Sequence, residues 1–412
     1  MRRLDKPMIG WGAGMKLPAL KYPDFRRLWF GAAFNQQGMS GEHVVLGALV
    51  YQITESTLWI GTIMAVYFLP LFVFGMLSGA VADWMDRRAL LRRTEVAILA
   101  NLVVFAALLF YGFDQLWLII CFTLLTGSLR ALHQPVRVSY AYDIVGGDQV
   151  VSALGLLNLS ARSGQFIGAL LVGFVMKDHG APAALVVIAA GHLIAFAAFA
   201  RLRSAGRAAV KGHAPIRQNL REYAMELRNN GILLMLVLVT AAVEVFGFSF
   251  ATALPELATA RLNLSEDGLG YLHAARAFGG IVAGLAMSFM GQMQRRGLVY
   301  LFVIFAFGAS MLLLSVEGAL VFTAFAVGLV ALMATVSDVL TQSMMQLSVA
   351  NELRGRAMGV WVLAVGMAPV GHLQMGALSV ALGLSNALAV NGAILVLVGL
   401  VIAVAAPRLR QL

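Results

Sequence analysis

The residues able to do chemistry in this chain are ionisable side chains set in long apolar runs: Glu42, His43, Arg130, His133, Glu244 and Asp338, with the amides Asn35, Gln37 and Gln342 close by in sequence. A charge inside hydrocarbon costs several kcal/mol on most scales, so each such group needs a partner, a wet cavity or a neutral protonation state. Groups of this kind carry protons, hold fixed ion pairs or contact a polar substrate, and for Glu42 all three roles are open. A carboxyl partly withdrawn from water makes Glu42 the first proton-coupling candidate, with Glu244 and Asp338 after it. His43 adjoins Glu42 but points about 100° away round a helix, so the two are not automatically a dyad. The Arg130 guanidinium offers a fork suited to carboxylate or phosphate. No metal-ligand spacing, nucleotide-binding motif or nucleophile constellation appears, so no metal, no cofactor and no enzyme activity is expected.

These side chains must be positioned by membrane-spanning elements. Of 412 residues, 60% are hydrophobic and 12% charged, and the mean hydropathy is +0.84, values that exclude a water-exposed surface. Twelve apolar stretches follow one another, each about the length that crosses a ~30 Å hydrocarbon core. They run continuously, without the alternation of a barrel strand, and lipid leaves the backbone no partner but itself, so they predict helices. The fold class expected is an all-α membrane protein with twelve transmembrane helices in two pseudo-symmetric six-helix bundles. The bundles are placed at 26–202 and 231–406, with a cytoplasmic segment 1–25, a cytoplasmic linker 203–230 and a tail 407–412. Spans five and six are placed at 150–177 and 181–202, span seven at 231–258 and span eleven at 355–383.

Within the linker, Ile216, Leu220, Tyr223 and Leu227 form one apolar helical stripe suited to the membrane surface. The formal net charge is +10, but the basic residues sit mainly in short loops on one side; only Lys177 and Arg261 fall in loops on the other. That bias reads as topology, with both termini cytoplasmic and lipid headgroups nearby, and not as nucleic-acid binding. An offset of 208 superposes Arg87-Arg88 on Arg295-Arg296 and Gly168-Ala169-Leu170 on Gly376-Ala377-Leu378, as an internal duplication would. The same offset aligns Arg130 with Asp338, which predicts that they can pair across the pseudo-symmetry axis.

The loop Gly79-Ala80-Val81-Ala82-Asp83-Trp84-Met85-Asp86-Arg87-Arg88 resembles the signature between helices two and three of the major facilitator superfamily. Phe25-Arg26-Arg27-Leu28-Trp29, Gln134-Pro135-Val136-Arg137, Leu220-Arg221-Glu222 and Glu352-Leu353-Arg354-Gly355-Arg356 are similar to its branch of bacterial secretion effectors, enterobactin-type siderophore exporters and macrolide-efflux-like carriers. Residues 161–168 resemble a span-five motif associated with antiporters.

The resemblance implies a central cavity alternately open to each side and lined by helices one, four, seven and ten. It thereby gathers Asn35, Gln37, Glu42, His43, Arg130, His133, Glu244, Asp338 and Gln342 around a substrate. It also implies a cytoplasmic gate of Asp83, Arg87, Arg88, Arg137 and Asp143, with Arg354 and Arg356 serving the second half. The function expected is proton-coupled efflux, by antiport, of a small amphipathic or lipophilic organic compound, siderophore- or drug-like, across the bacterial inner membrane. The partners expected are a small-molecule substrate, protons and membrane lipid, with the chain monomeric and no nucleic acid bound. An uptake carrier or facilitator of a polar solute, or a non-transporting receptor or lipid-translocating protein on the same fold, is the alternative.

Overall fold

The computed structural model describes residues 18–405 except 85, 147–148, 207–224, 226, 290–294 and 350–353. Side chains are further described outside 74–84, 134, 150–151, 288–289, 346, 354–359 and 405. Among the described residues there is no strand. Helix α1 (Pro23–Thr54) opens with proline in its first turn, where a missing N–H costs nothing, and ends at Glu55 in the left-handed region (φ 49°). After α2 (Thr57–Trp84), α3 (Arg87–Phe110) is capped by the Asp86 carboxylate, which accepts from the Ala89 N–H at 3.0 Å. Helix α4 spans Leu116–Val145.

Helix α5 (Val150–Ala200) has 51 residues, about 76 Å at 1.5 Å per residue and over twice the hydrocarbon thickness. It breaks at Gly180 (φ 77°, ψ 176°), a conformation that suits glycine, with Pro182 just beyond. The loop expected between 177 and 181 is therefore a single-residue kink.

Helix α6 runs Gly231–Arg261, three residues past the expected end of span seven. It is regular to Ala242, then passes through π (Val243–Gly247), 3-10 (Phe248–Ala253) and again π (Leu257–Arg261) segments. The remaining helices are α7 (Glu266–Phe289), α8 (Arg296–Ser315), α9 (Leu320–Leu347), α10 (Arg354–Val365), α11 (Ala368–Leu382) and α12 (Leu384–Ala405). The expected span 355–383 is thus interrupted at Gly366-Met367, just before Pro369, which sits in the first turn of α11. Eight of the described helices are long and apolar enough to cross a membrane, and α2 contributes a shorter apolar run, Thr57–Val73. The chain is an integral membrane protein.

Glycine brings the backbones together. A Cβ on Gly164 would fall 2.1 Å from the Ala33 carbonyl oxygen and one on Gly168 2.3 Å from that of Gln37, so α5 lies directly on α1. The helices before residue 203 join those after 230 chiefly through α5 with α7 and α2 with α11. At those seams a Cβ on Gly173 would be 2.9 Å from Gly270 Cα, and one on Gly61 2.3 Å from the His372 oxygen. Polar ties close the same end of the molecule. Thr57 Oγ1 donates to Glu256, Ser379 Oγ donates to Glu256 Oε2 at 2.8 Å, and Lys177 Nζ lies 3.0 Å from Asp267 Oδ2. The stripe Ile216, Leu220 and Tyr223 lies outside the described residues, as do segments 1–17 and 406–412.

Candidate functional site

Helical spacing sets the positions of the buried polar groups. Asn35 and Glu42 stand seven residues apart on α1, and Arg130, His133 and Arg137 follow at i, i+3 and i+7 on α4, so each set shares a face. Those faces meet. Arg130 Nε donates to Glu42 Oε2 at 2.9 Å and its Nη2 to Glu42 Oε1 at 2.7 Å, a two-pronged pair that occupies both carboxylate oxygens. Glu42 is fully buried, and the Tyr67 hydroxyl also donates to it at 3.4 Å.

A second carboxylate, Glu95 of α3, lies just beyond. It accepts from Asn35 Nδ2 at 2.8 Å, meets His192 Nδ1 of α5 at 2.7 Å and lies 3.2 Å from His133 Nε2. His192 links the two acids: its Nε2 is 3.4 Å from Arg130 Nη2 and 3.7 Å from Glu42 Oε1. Glu42, Glu95 and His192 show no accessible surface worth the name, so water does not share in this balance. Confining attention to the four cavity helices of the resemblance passes over Glu95 and His192. The signal that finds them is the one that finds Glu42, an ionisable residue inside an apolar run.

Arg130 does not meet Asp338, so the expected pair across the axis is absent. The guanidinium is instead fully engaged by Glu42 of α1, whose face the Gly164 and Gly168 seam holds in place. Asp338 Oδ2 accepts from Gln342 Nε2, one turn along α9, at 3.0 Å, and among the described residues no cation lies within ion-pair distance. Glu244 is buried in the first π segment of α6, with neither a hydrogen bond nor an ion pair among the described residues. His43 stands edge-on to Tyr67 at 4.9 Å with its Nε2 buried and unbonded, and the Gln37 amide is likewise buried without a hydrogen bond.

Where the start of α3 meets the end of α4, Arg87 Nη1 donates to Asp143 Oδ1 at 2.7 Å. Arg88 stands 3.9 Å from Asp86 and donates to the Arg203 carbonyl at 3.1 Å. Arg137 makes no ion pair with Asp143; it is buried with Nε and Nη1 unbonded. The side chains of Asp83, Arg354 and Arg356 lie outside the described residues. Ahead of the apolar part of α1, Asp24 accepts from Ser204 Oγ at 2.6 Å and from the Arg203 N–H at 2.9 Å. Burial opposes its charge, but these bonds and Arg27 outweigh burial and hold the carboxyl at about 2. Among the described residues no three His, Cys, Asp or Glu side chains gather to hold a metal ion.

A family description, transmembrane secretion effector, matches residues 15–411. The staphyloferrin A transporter of Staphylococcus aureus is 22% identical over 352 residues, covering 82% of this chain and 85% of the relative. Among solved structures, a peptide transporter POT in complex with sulfate superposes with a TM-score of 0.76 at 15% identity, covering 95% of each chain. A point mutant of the nucleoside transporter NupG gives 0.75 at 12% identity, covering 92% of this chain and 99% of that one. A bacterial homologue of the human lysosomal transporter Spinster, inward-facing and unoccupied, gives 0.67 at 15% identity, covering 96% of this chain and 97% of the other.

Proposed function

The chain belongs to the transmembrane secretion effector family of the major facilitator superfamily, a family of membrane transporters and not of enzymes, and from that premise we propose a proton-coupled exporter working by alternating access. In this reading the kinked α5 supplies two spans, α10 and α11 together one, and α6 the seventh. Twelve spans then form two six-helix bundles, 26–202 and 231–406, joined by a cytoplasmic linker, with both termini in the cytoplasm of a bacterial cell and the chain a monomer. The contacts across the Gly61 and Gly173 seams support an outer end that is sealed and a cavity that faces inward.

One observation carries the reading: the acids inside the apolar helices fall into two kinds. Glu42 and Glu95 have fixed partners, whereas Glu244 and Asp338 have no cation in contact among the described residues. A carboxyl without a fixed counter-charge is the one whose proton can come and go with conformation. Glu244 is accordingly the leading proton carrier, Asp338 modulates it, and Glu42 with Arg130 holds the first bundle together. The Arg87 pair with Asp143, flanked by Arg88 and joined by Asp83, Arg354 and Arg356, serves as the cytoplasmic gate. The cargo is a small amphipathic organic compound of siderophore type, a class suggested by the staphyloferrin A transporter.

The test begins with a thermal-shift screen of purified protein against staphyloferrin A and other siderophores, antibiotics and lysolipids. Flux of each hit in proteoliposomes follows. An imposed pH gradient is expected to drive export, and Glu244→Gln to remove the driven component while leaving binding. Equilibration that ignores the gradient would make the protein a facilitator, and binding without flux a receptor.

A further inference from the structure

Helix α7 presents His273, Arg276 and Gly280 at i, i+3 and i+7, one face directed into the contact with α5 and α1. Onto that face α5 lays Arg162. A Cβ built on Gly280 would stand 3.0 Å from Arg162 Nε and 3.1 Å from its Cζ, so the guanidinium rests where a side chain would otherwise be. Arg276 is one helical turn from Gly280, on the order of 6 Å along the same face. From α1, the His43 ring lies 6.4 Å from that of His273. Four groups from three helices therefore converge, two of them permanently charged.

Among the described residues their counter-charges are missing. Arg276 makes no hydrogen bond or ion pair there; its contact is the face of the Phe250 ring, 5.7 Å from the guanidinium carbon. Arg162 reaches only neutral oxygens, those of Gln165 and Thr335, each at 3.4 Å. Asp338 acts on Arg162 from beyond ion-pair distance and is already hydrogen-bonded to Gln342. The buried His43 Nε2 has no hydrogen-bond partner. Two like charges held half-buried among helices without a counter-charge repel each other, and an anion between them removes that repulsion. A guanidinium fork fits a carboxylate through two parallel N–H bonds, and a neutral imidazole completes the set as donor or acceptor.

We propose that Arg162 and Arg276, with His43 and His273, form a binding site for an organic anion carrying at least two carboxylates on a short spacer. This rests on the transport reading and gives its cargo a charge class: each guanidinium takes one carboxylate, and the Phe250 face borders the carbon skeleton. Ligand entry then ties α5 and α1 to α7, which biases the equilibrium between the two faces of the carrier.

The test is equilibrium titration calorimetry of the purified protein in non-ionic detergent with acetate, succinate, citrate and inorganic phosphate as probes. Citrate and succinate are expected to bind at least about tenfold more tightly than acetate or phosphate, and binding is expected to weaken with added salt. Arg276→Gln and, separately, Arg162→Gln should each lower citrate affinity by about tenfold or more, with Arg276→Lys restoring only part of it because an ammonium lacks the fork. Equal binding of phosphate and citrate, no binding of any probe by the wild type, or affinity indifferent to both arginines would overturn the site. The valency series needs no variant, so a misfolded mutant does not rescue the idea. Detergent binding also requires no gradient: driven flux without carboxylate binding sinks this site alone, and carboxylate binding without flux sinks the transport reading alone.

Discussion

The acids on α1 and α3 and the acids on α6 and α9 all lie inside apolar helices, Asp338 half-buried and the others buried, but they are differently furnished. Glu42 and Glu95 have Arg130, His192, His133 and Asn35 arranged around them by three helices, α1, α4 and α5. Among the described residues Glu244 has no partner, and Asp338 has one amide from its own helix. Burial alone therefore does not say what an intramembrane carboxyl is for. A carboxylate locked by a two-pronged arginine is part of the scaffold, because breaking such a pair strands a charge. One without a counter-ion is free to answer protons and conformation.

The largest expected effect on stability belongs to the furnished site. Arg130→Ala should lower the stability of the purified protein by about 3 to 5 kcal/mol, since it leaves Glu42 buried without its cation. Glu244→Gln, measured by the same detergent melting curves, should change it by no more than about 1 kcal/mol. Similar losses in both variants would erase the distinction. In flux the order reverses. Glu244→Gln should cut gradient-driven transport at least about tenfold, equal to roughly 1.4 kcal/mol, without lowering equilibrium binding of the cargo.

A smaller effect sharpens the description of the furnished site. His192→Gln should cost about 1 to 3 kcal/mol, because Glu95 keeps Asn35 and His133 but loses its shortest contact. A loss as large as that of Arg130→Ala would mean that His192, and not Arg130, is the keystone. The smallest expected effect lies outside the membrane. The Asp24 carboxyl is held at about 2 in the fold against its ordinary 3.8, so its contribution is present above pH 3.8 and disappears as the pH falls through about 2. Asp24→Asn should remove about 1 to 2 kcal/mol at neutral pH and flatten the acid limb of the stability profile in that window.

Much of the fold is legible because lipid makes the code simple: long apolar runs announce the helices that cross it. Two breaks are legible in place or form only in part. Lys177-Asp178-His179 marks a polar loop, yet Gly180 alone turns α5, and the restart of α11 after Gly366-Met367 falls inside what reads as one span. The π segment that carries Glu244 and the 3-10 segment after it have no composition of their own. For the site, the sequence marks which residues are charged but not which way their helices are turned. That is why Arg130 can be assigned to Asp338 by symmetry when Glu42 is its partner, and why Glu95 and His192, on helices outside the four expected to line a cavity, go unnoticed. Arg162 and Arg276 are visible as charges inside spans, but their convergence depends on Gly280 leaving room for a guanidinium, which no spacing along a single helix reveals.

The most direct measurement is a distance between spin labels on Ile53 of α1 and Leu382 of α11, both exposed at the sealed end, in a Cys121→Ser background that removes the native thiol. Pulsed electron-electron resonance at acid and alkaline pH reads whether that end opens as protons are exchanged. In wild type the distribution is expected to shift between a short and a long distance with pH. In Glu244→Gln the shift should vanish, leaving one distance at both pH values. A pH-driven shift that survives unchanged in Glu244→Gln would contradict the assignment of the proton to the unpartnered acid.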